Sequence, residues 1–226
     1  IFLIFAKNML DKFLIKRFLD YVRLELSLSD NSVLAYQHDI ELFRQYLKSI
    51  NNSMLFKDIH QEDIENFLAY LYDLGLSASS QARILSGLKR FYKYITLEKI
   101  SEHNPTELIS SPKIGRHLPD VLSYNEICSM IDAIDLSQQL GHRNKAIIEV
   151  LYGCGLRVSE LISLKISNIY KEDEFLRIFG KGNKERVVFL NDACIKAIND
   201  YLKIRAASPA NTPALFITSR KDRISK

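Results

Sequence analysis

The residues with the clearest chemistry lie between Tyr152 and Leu190. This stretch places Arg157 in the first turn of a predicted short helix and Lys181 at the tip of a predicted β-hairpin. A guanidinium at the start of a helix adds its planar fork of donors to the free backbone N–H groups and the positive end of the helix dipole. A lysine on a protruding turn can reach into a nucleic-acid groove and give up a proton. Both side chains suit a phosphate.

The short helix follows two glycines, Gly153 and Gly155, that interrupt an apolar run with helical spacing. Glycine lets the chain turn sharply there before helical spacing resumes. Glu160 lies three residues after Arg157, on the same face, where its carboxylate can hold the arginine in one rotamer. This spacing also occurs in ordinary solvated ion pairs, which are the more common case. The spacing by itself is therefore a weak signal, and both interpretations stay open.

The hairpin is predicted from two segments rich in β-branched and aromatic residues, Phe175–Phe179 and 186–190. Glycines and an asparagine between them supply the positive φ values that a tight connection needs. The turn therefore carries three basic side chains, Lys181, Lys184 and Arg186. A charged, solvated hairpin tip is the alternative to a finger that contacts nucleic acid.

The phrases GLRVSEL and GKGNKERVV, at this separation, resemble the first catalytic box and the hairpin lysine of the tyrosine recombinases, or phage integrase family, and most of all its Xer-type branch. The resemblance implies that Arg157 clamps the scissile phosphate, that Lys181 protonates the leaving 5′ oxygen, and that Glu160 supports the arginine. It also implies site-specific DNA recombination or integration through a 3′-phosphotyrosyl intermediate. The covalent step conserves the bond energy, so neither a metal nor any other cofactor is expected.

Composition narrows the class of protein. The chain has 226 residues, a formal net charge of +4 and 47% hydrophobic residues, which predicts one large or two modest globular domains. Three isolated cysteines, Cys128, Cys154 and Cys194, indicate neither a disulfide framework nor a zinc site. No apolar run approaches the ~20 residues that span a bilayer, so we expect a cytoplasmic protein with no membrane partner.

The first half of the chain has the periodicity of four helices. The predicted helices are 9–26, one that begins after a cap within 29–32, 62–74, and 79–97. The last of these carries its apolar residues on one side and four basic residues on the other, Arg83, Lys89, Arg90 and Lys93. It resembles the helix of the recombinase core-binding domain that enters the major groove, which favours DNA binding by this face. A solvated basic face is the alternative.

The domain organisation follows from these patterns and the resemblance. We predict a mainly α protein with an all-helical N-terminal core-binding (SAM-like) domain over residues 9–105. A basic, proline-containing linker over 106–119 then leads to residues 120–226. This second part is predicted to be a mostly helical catalytic domain with a small antiparallel β-sheet, incomplete at its C-terminus. Ser123 and Glu126 have the spacing of a capping box at the start of its first helix.

The resemblance stops before most of the family's catalytic residues. No histidine of this chain begins a His-x-x-Arg sequence, and the last tyrosine, Tyr201, does not match the position of the nucleophile. We therefore expect a truncated chain that binds DNA without cutting it, with Tyr201 in a packing role. The expected partners are double-stranded DNA and, in the full-length form, other recombinase protomers in a tetrameric synapse. The alternatives are a non-catalytic DNA-binding module and a helical protein-interaction domain.

Overall fold

A computed structural model describes residues 2–50, 54–115, 118–138, 140–180, 182, 184–206 and 212–224. The chain divides into two compact units, Ile1–Leu118 and Pro119–Lys226. Each unit has its own hydrophobic core. None of the described helices is long and apolar enough to cross a membrane.

The first unit is built from the four predicted helices. Their bounds are α1 Phe2–Leu24, α2 Asp30–Ser49, α3 Gln61–Asp73 and α4 Ala78–Leu97. The helix starts have local causes: the Ser77 hydroxyl accepts a hydrogen bond from the Ser80 backbone N–H, and the Asp63 carboxylate accepts one from the His60 N–H. The first helix begins seven residues before the predicted Met9.

Helix α4 supplies much of the core of the first unit. Phe91 and Tyr92 of α4 are fully buried, and the Phe91 ring meets Phe18 of α1 edge-on at 5.3 Å between centroids. Phe56, from a short 3₁₀ turn, contacts the same Phe91 ring at 5.1 Å. Such edge-to-face contacts add to the hydrophobic gain of burying the rings. With its apolar side fixed in this way, the polar side of α4 must face outward.

The second unit is mostly helical with one small sheet, which confirms the predicted fold class. Its helices are α5 Tyr124–Asp132, α6 Gly141–Cys154, α7 Val158–Ser163 and α8 Asp192–Ala206. Its strands are β1 Ile169–Tyr170, β2 Phe175–Phe179 and β3 Glu185–Phe189, in the order β1-β2-β3 and antiparallel. The register of the hairpin opposes Phe175 to Phe189 and Phe179 to Glu185.

Two local features of the second unit differ from the sequence expectation. The sequence predicts a strand near residues 166–170, but residues 166–168 form a 3₁₀ turn and only Ile169–Tyr170 is a strand. The Asn168 side chain closes the turn by accepting a hydrogen bond from the Lys165 backbone N–H at 3.0 Å. Gly153 lies inside α6, where a Cβ would come within 2.6 Å of the Cys194 sulfur in α8. It permits close packing of the two helices, and Gly155 alone, with φ of 57°, ends α6.

Other local predictions are confirmed. The Ser123–Glu126 capping box is formed, with the Ser123 N–H donating to the Glu126 carboxylate at 2.7 Å. Tyr201 is buried in α8 and has a packing role. Its hydroxyl accepts a hydrogen bond from the Ile217 backbone N–H at 3.2 Å, and its ring stacks on Phe216. Residues 214–217 therefore belong to the core of the second unit.

Candidate phosphate-binding and nucleic-acid site

Arg157 stands immediately before α7, as its N-cap residue in an extended conformation. Glu160, one turn into the helix, folds back on it. The Glu160 Oε2 accepts the Arg157 backbone N–H at 2.9 Å, and Oε1 accepts a hydrogen bond from Arg157 Nη1 at 3.1 Å. This N–H is therefore bound to a carboxylate and is not free for a phosphate, contrary to the sequence expectation. The guanidinium of Arg157 remains as the anion-binding group.

A second arginine, Arg186 of β3, donates hydrogen bonds to the same carboxylate from both of its terminal nitrogens. Nη1 donates to Glu160 Oε1 at 2.6 Å and Nη2 donates to Oε2 at 2.8 Å. Glu160 thus accepts four hydrogen bonds while only 3% of its side chain is exposed. The Arg186 hydrogen bonds are the main cause that lowers the pKa of Glu160 to about 2, against the opposing effect of burial. Glu160 is therefore ionised at neutral pH.

The two arginines of this cluster differ in what they can offer to a ligand. Arg186 donates one hydrogen bond to Glu160 from each of its two terminal nitrogens. Its predicted contact with DNA therefore competes with an internal ion pair. With the part of the chain that the structure describes, Arg157 makes one side-chain hydrogen bond, and 74% of its side chain is exposed. A guanidinium has five N–H donors, so most of those of Arg157 face solvent. Two cations around one carboxylate leave the cluster with a net positive charge.

The hairpin approaches this cluster at its tip. The Gly180 N–H donates to the Lys184 carbonyl at 2.8 Å. A Cβ added at Gly180 would lie 3.3 Å from Glu160 Oε1, so the backbone here passes close to the carboxylate. Lys184 is exposed. Lys181, the predicted proton donor, lies outside the described residues, as does Asn183.

The second predicted surface is the outer side of α4 in the first unit. Arg83, Arg90 and Lys93 are exposed and fall within about 80° of one another around the helix axis. Lys89 does not join them. Its ammonium donates to the Ile109 backbone carbonyl at 2.6 Å and ties the segment after the helix to α4. Three of the four predicted basic residues thus form one surface, which we call the α4 stripe.

Sequence reasoning missed Asp39 of α2, which lies beneath one end of the α4 stripe. Only 2% of its side chain is exposed, and it accepts a hydrogen bond from Arg83 Nη1 at 2.8 Å. Burial raises the pKa of Asp39, and the nearby Arg83 opposes that shift. A signal was present in the sequence. Asp39 precedes Ile40 and follows Tyr36 by three residues, so it falls within the apolar stripe of α2.

The chemistry of both sites favours binding of anions. Their functional groups are guanidinium and ammonium donors, each carboxylate being already paired with an arginine. Among the residues that the structure describes, no group of three or more His, Cys, Asp or Glu side chains is placed to hold a metal ion.

Comparison with known proteins defines the class. The model of the Phage integrase family matches residues 120–226, and that of the phage integrase N-terminal SAM-like domain matches residues 15–99. Tyrosine recombinase XerD of Staphylococcus epidermidis is 33% identical over 216 residues, which cover 94% of this chain and 73% of that protein. XerD of Staphylococcus aureus strain Mu50 is 36% identical over 190 residues, 84% of this chain and 64% of that one. The chain belongs to the phage integrase family of tyrosine recombinases.

Solved structures share the fold. A XerH site-specific recombinase, in a post-cleavage complex with a palindromic difH substrate, aligns with a TM-score of 0.76 and 21% identity. The alignment covers 97% of this chain and 75% of that one. A lambda integrase tetramer bound to a Holliday junction aligns with a TM-score of 0.71 and 19% identity, over 94% of this chain and 60% of that one. At these identities the likeness describes the fold.

Proposed function

We propose that this chain binds duplex DNA in site-specific recombination and that Arg157 contacts the phosphate at which the strand is exchanged. The observation that carries the proposal is the cluster at the start of α7. An exposed guanidinium is held in place by a buried carboxylate, which a second arginine fixes in turn. Preorganised donors of this kind stabilise the charge that develops on a phosphate in the transition state. Membership of the tyrosine recombinase family supports site-specific DNA recombination as the activity.

The finer mechanism belongs to the same proposal. A tyrosine attacks the phosphodiester, a 3′-phosphotyrosyl intermediate forms, and a 5′-hydroxyl from a partner strand restores the phosphodiester. Lys181 protonates the leaving 5′ oxygen. In its support, Lys181 follows directly on Gly180, whose backbone lies beside the Glu160 carboxylate. The 226 residues contain no His-x-x-Arg sequence. In this mechanism they supply part of the stabilisation of the phosphate, and they do not supply the nucleophile.

Binding outside the reacting phosphate is assigned to the basic residues of both units. In the first unit Arg83, Arg90 and Lys93 of the α4 stripe contact DNA, and in the second unit Lys184 does so from the hairpin. Most protein–DNA hydrogen bonds go to the phosphates, which fix register and orientation. Lys89 instead anchors the segment around Ile109. We also propose that the protein assembles with further recombinase protomers on DNA and that it is cytoplasmic.

Salt dependence tests the binding role of Arg157. Each phosphate that a protein neutralises contributes about one unit to the slope of log K against log salt concentration. Arg157→Ala should therefore lower the slope for duplex binding by about one. Arg220→Ala is the matched control, since Arg220 is an exposed arginine of the same unit outside the cluster. Equal slopes for wild type and Arg157→Ala would remove Arg157 from the DNA interface.

A nicked suicide substrate tests whether this chain also cuts. We expect the 226-residue protein to retain the duplex and to form no covalent band on a denaturing gel, because the nucleophile is absent from the proposed site. A covalent band that Tyr201→Phe abolishes would contradict this assignment. Retention without cleavage also fits a second candidate, a non-catalytic DNA-binding module. The ion pair that occupies Arg186 is the observation in its favour.

The role of Lys181 separates these two candidates. In a version of the protein that carries the family's second box and tyrosine, Lys181→Ala should cleave an ordinary substrate poorly. A substrate with a 5′-thio leaving group should restore cleavage, because a thiolate departs without a proton and the general acid becomes dispensable. If the thio substrate gives no relief, Lys181 acts as an electrostatic or groove contact. A protein-interaction domain without DNA binding would fail the duplex assay altogether.

A further inference from the structure

Arg83, which pairs with the buried Asp39, differs from the other basic residues of the α4 stripe. Arg90 and Lys93 are exposed and have no hydrogen-bond or ion-pair partner among the described residues. Arg83, by contrast, is half exposed and held from below. Its Nη1 lies 2.8 Å from Asp39 Oδ2 and 2.7 Å from Oδ1. One residue of the stripe thus has a fixed side chain and its neighbours do not.

The fold makes room for this pair at the contact between α2 and α4. Gly87 faces Asp39 one turn after Arg83, and a Cβ there would lie 2.5 Å from Asp39 Oδ2. Any other residue at position 87 would displace the carboxylate. A buried carboxylate is a poor source of stability even when it is paired, because it loses its hydration. Burial also raises the pKa of Asp39, so the ionised form costs the fold free energy.

The geometry leaves the outer edge of Arg83 available. Asp39 engages Nη1, whereas Nε and Nη2 have no partner among the described residues. Nε–H and Nη2–H form the parallel fork that matches O6 and N7 of guanine in the major groove. A fork in a fixed orientation can select a base, while a mobile cation attracts any phosphate. Asp39 therefore fixes the orientation of the Arg83 guanidinium, which helix packing alone does not do.

We propose that Asp39 is a positioning residue that holds Arg83 as a base-reading contact for guanine, with Gly87 providing the space. Arg90 and Lys93 then contribute affinity without base preference. This inference rests on the proposed function, because it requires that the α4 stripe meets duplex DNA. It adds to that function one sequence-determining contact and the buried residue that orients it.

The test is selection of bound duplexes from a random-sequence DNA library with the 226-residue protein and its variants. A bidentate arginine contact discriminates its base pair by roughly 10-fold to 100-fold. Wild type should enrich a guanine at one position. Arg83→Lys keeps the charge and loses the fork, so that preference should disappear. Arg90→Lys is the matched control on the same helix face, and it should change affinity while retaining the guanine.

The role of Asp39 is tested by two independent changes. Asp39→Asn keeps the shape and removes the charge that restrains Arg83, and Gly87→Ala displaces the carboxylate while leaving both partners in the sequence. Each should reduce the guanine preference about tenfold or more, with a smaller change in affinity for duplexes that lack the selected base. Circular dichroism spectra and melting curves check that each variant is folded. Arg83→Lys, at a half-exposed position, keeps the test decisive if the buried changes unfold the chain.

The outcomes separate the two levels of the proposal. Wild type that retains no duplex contradicts the proposed function and this inference with it. Wild type that retains duplex without enriching a guanine, or Asp39→Asn with an unchanged preference, overturns the inference alone. A uniform loss of affinity in Arg83→Lys without loss of preference would make Arg83 a phosphate contact, which also overturns it. A purely structural role for Asp39 would lower stability and leave base preference unchanged.

Discussion

Among the described residues, each unit of the protein buries one carboxylate beneath a basic surface, and the two carboxylates are supported very differently. In the first unit Asp39 is paired with one guanidinium nitrogen, Nη1 of Arg83, and its Oδ1 lies 3.7 Å from Nδ1 of His38. In the second unit Glu160 accepts hydrogen bonds from two arginine side chains and from the Arg157 backbone N–H. Both side chains are almost wholly buried, at 2% and 3% exposure. The two sites therefore differ in the number of donors around the carboxylate.

The balance between burial and hydrogen bonding sets the direction of the pKa shift at each site. Burial disfavours the charged form of both carboxylates, and hydrogen bonds to the charged form oppose it. At Asp39 burial dominates and the pKa is raised, whereas at Glu160 the hydrogen bonds dominate and the pKa falls to about 2. Glu160 therefore stabilises its unit while ionised. Asp39 in the ionised form costs its unit free energy, which fits a residue kept for the position of Arg83.

The largest effect is expected from Glu160→Gln. The amide cannot balance the charges of Arg157 and Arg186, and breaking a buried ion pair by removing one partner typically costs ~3–5 kcal/mol. Because both arginines are partly exposed, we expect a loss of about 3 kcal/mol, the low end of that range. The chain has no tryptophan, so urea unfolding should be followed by circular dichroism and by hydrogen exchange in α7 and β3. A loss below that of Asp39→Asn would reverse the ranking of the two sites.

Two glycines give a second comparison. Gly87→Ala places a Cβ 2.5 Å from Asp39 Oδ2, an overlap that displaces the buried carboxylate, and overpacking typically costs ~1–3 kcal/mol. Gly180→Ala places a Cβ 3.3 Å from Glu160 Oε1, which small shifts relieve, so we expect about 1 kcal/mol or less. Denaturant unfolding of both variants gives the order. A larger loss at Gly180 would show that the Glu160 cluster is the less adaptable of the two.

The pH dependence of stability should have opposite signs at the two sites. The pKa of Glu160 is lower in the folded than in the unfolded chain. Its contribution to the free energy of unfolding is therefore complete above about pH 4.5 and is lost as the pH falls toward 2. The pKa of Asp39 is raised in the folded chain. Its contribution to the free energy of unfolding therefore increases as the pH falls toward 3.8, the ordinary pKa of an aspartate. Wild type should therefore lose stability relative to Glu160→Gln and gain it relative to Asp39→Asn, by at most about 1.4 kcal/mol per pH unit. Acid titrations of the three proteins, followed by circular dichroism, measure these differences, and slopes of the same sign would contradict the comparison.

The smallest effect on stability is expected from Arg157→Ala. The side chain is 74% exposed, and ion pairs with an exposed partner contribute at most about 1 kcal/mol. The substitution should therefore leave the urea midpoint almost unchanged while it weakens duplex binding. Arg186→Ala is the informative partner variant, because it removes both terminal donors from Glu160 and should cost more. A larger loss of stability from Arg157→Ala than from Arg186→Ala would show that Arg157 has a structural role instead.

The sequence by itself determined the parts of this protein that depend on neighbours along the chain. Apolar spacing located the four helices of the first unit, and turn residues located the β2–β3 hairpin. The Ser123–Glu126 capping box and the contact of Arg157 with Glu160 followed from a separation of three residues. The pattern GLRVSEL with GKGNKERVV was sufficient for the family. Apart from the family pattern, these signals come from residues that are neighbours within one helix or one turn.

Only the tertiary structure decided which charged side chain meets which. Arg186 reaches Glu160 across 26 residues, Arg83 reaches Asp39 across 44, and Lys89 reaches the Ile109 carbonyl across 20. Long basic side chains have many rotamers, and periodicity shows only that they lie on a polar face. Their partners are fixed by how α4 packs on α2 and how the hairpin packs on α7. Whether a lysine or arginine faces solvent or an internal carboxylate therefore depends on contacts that no local pattern records.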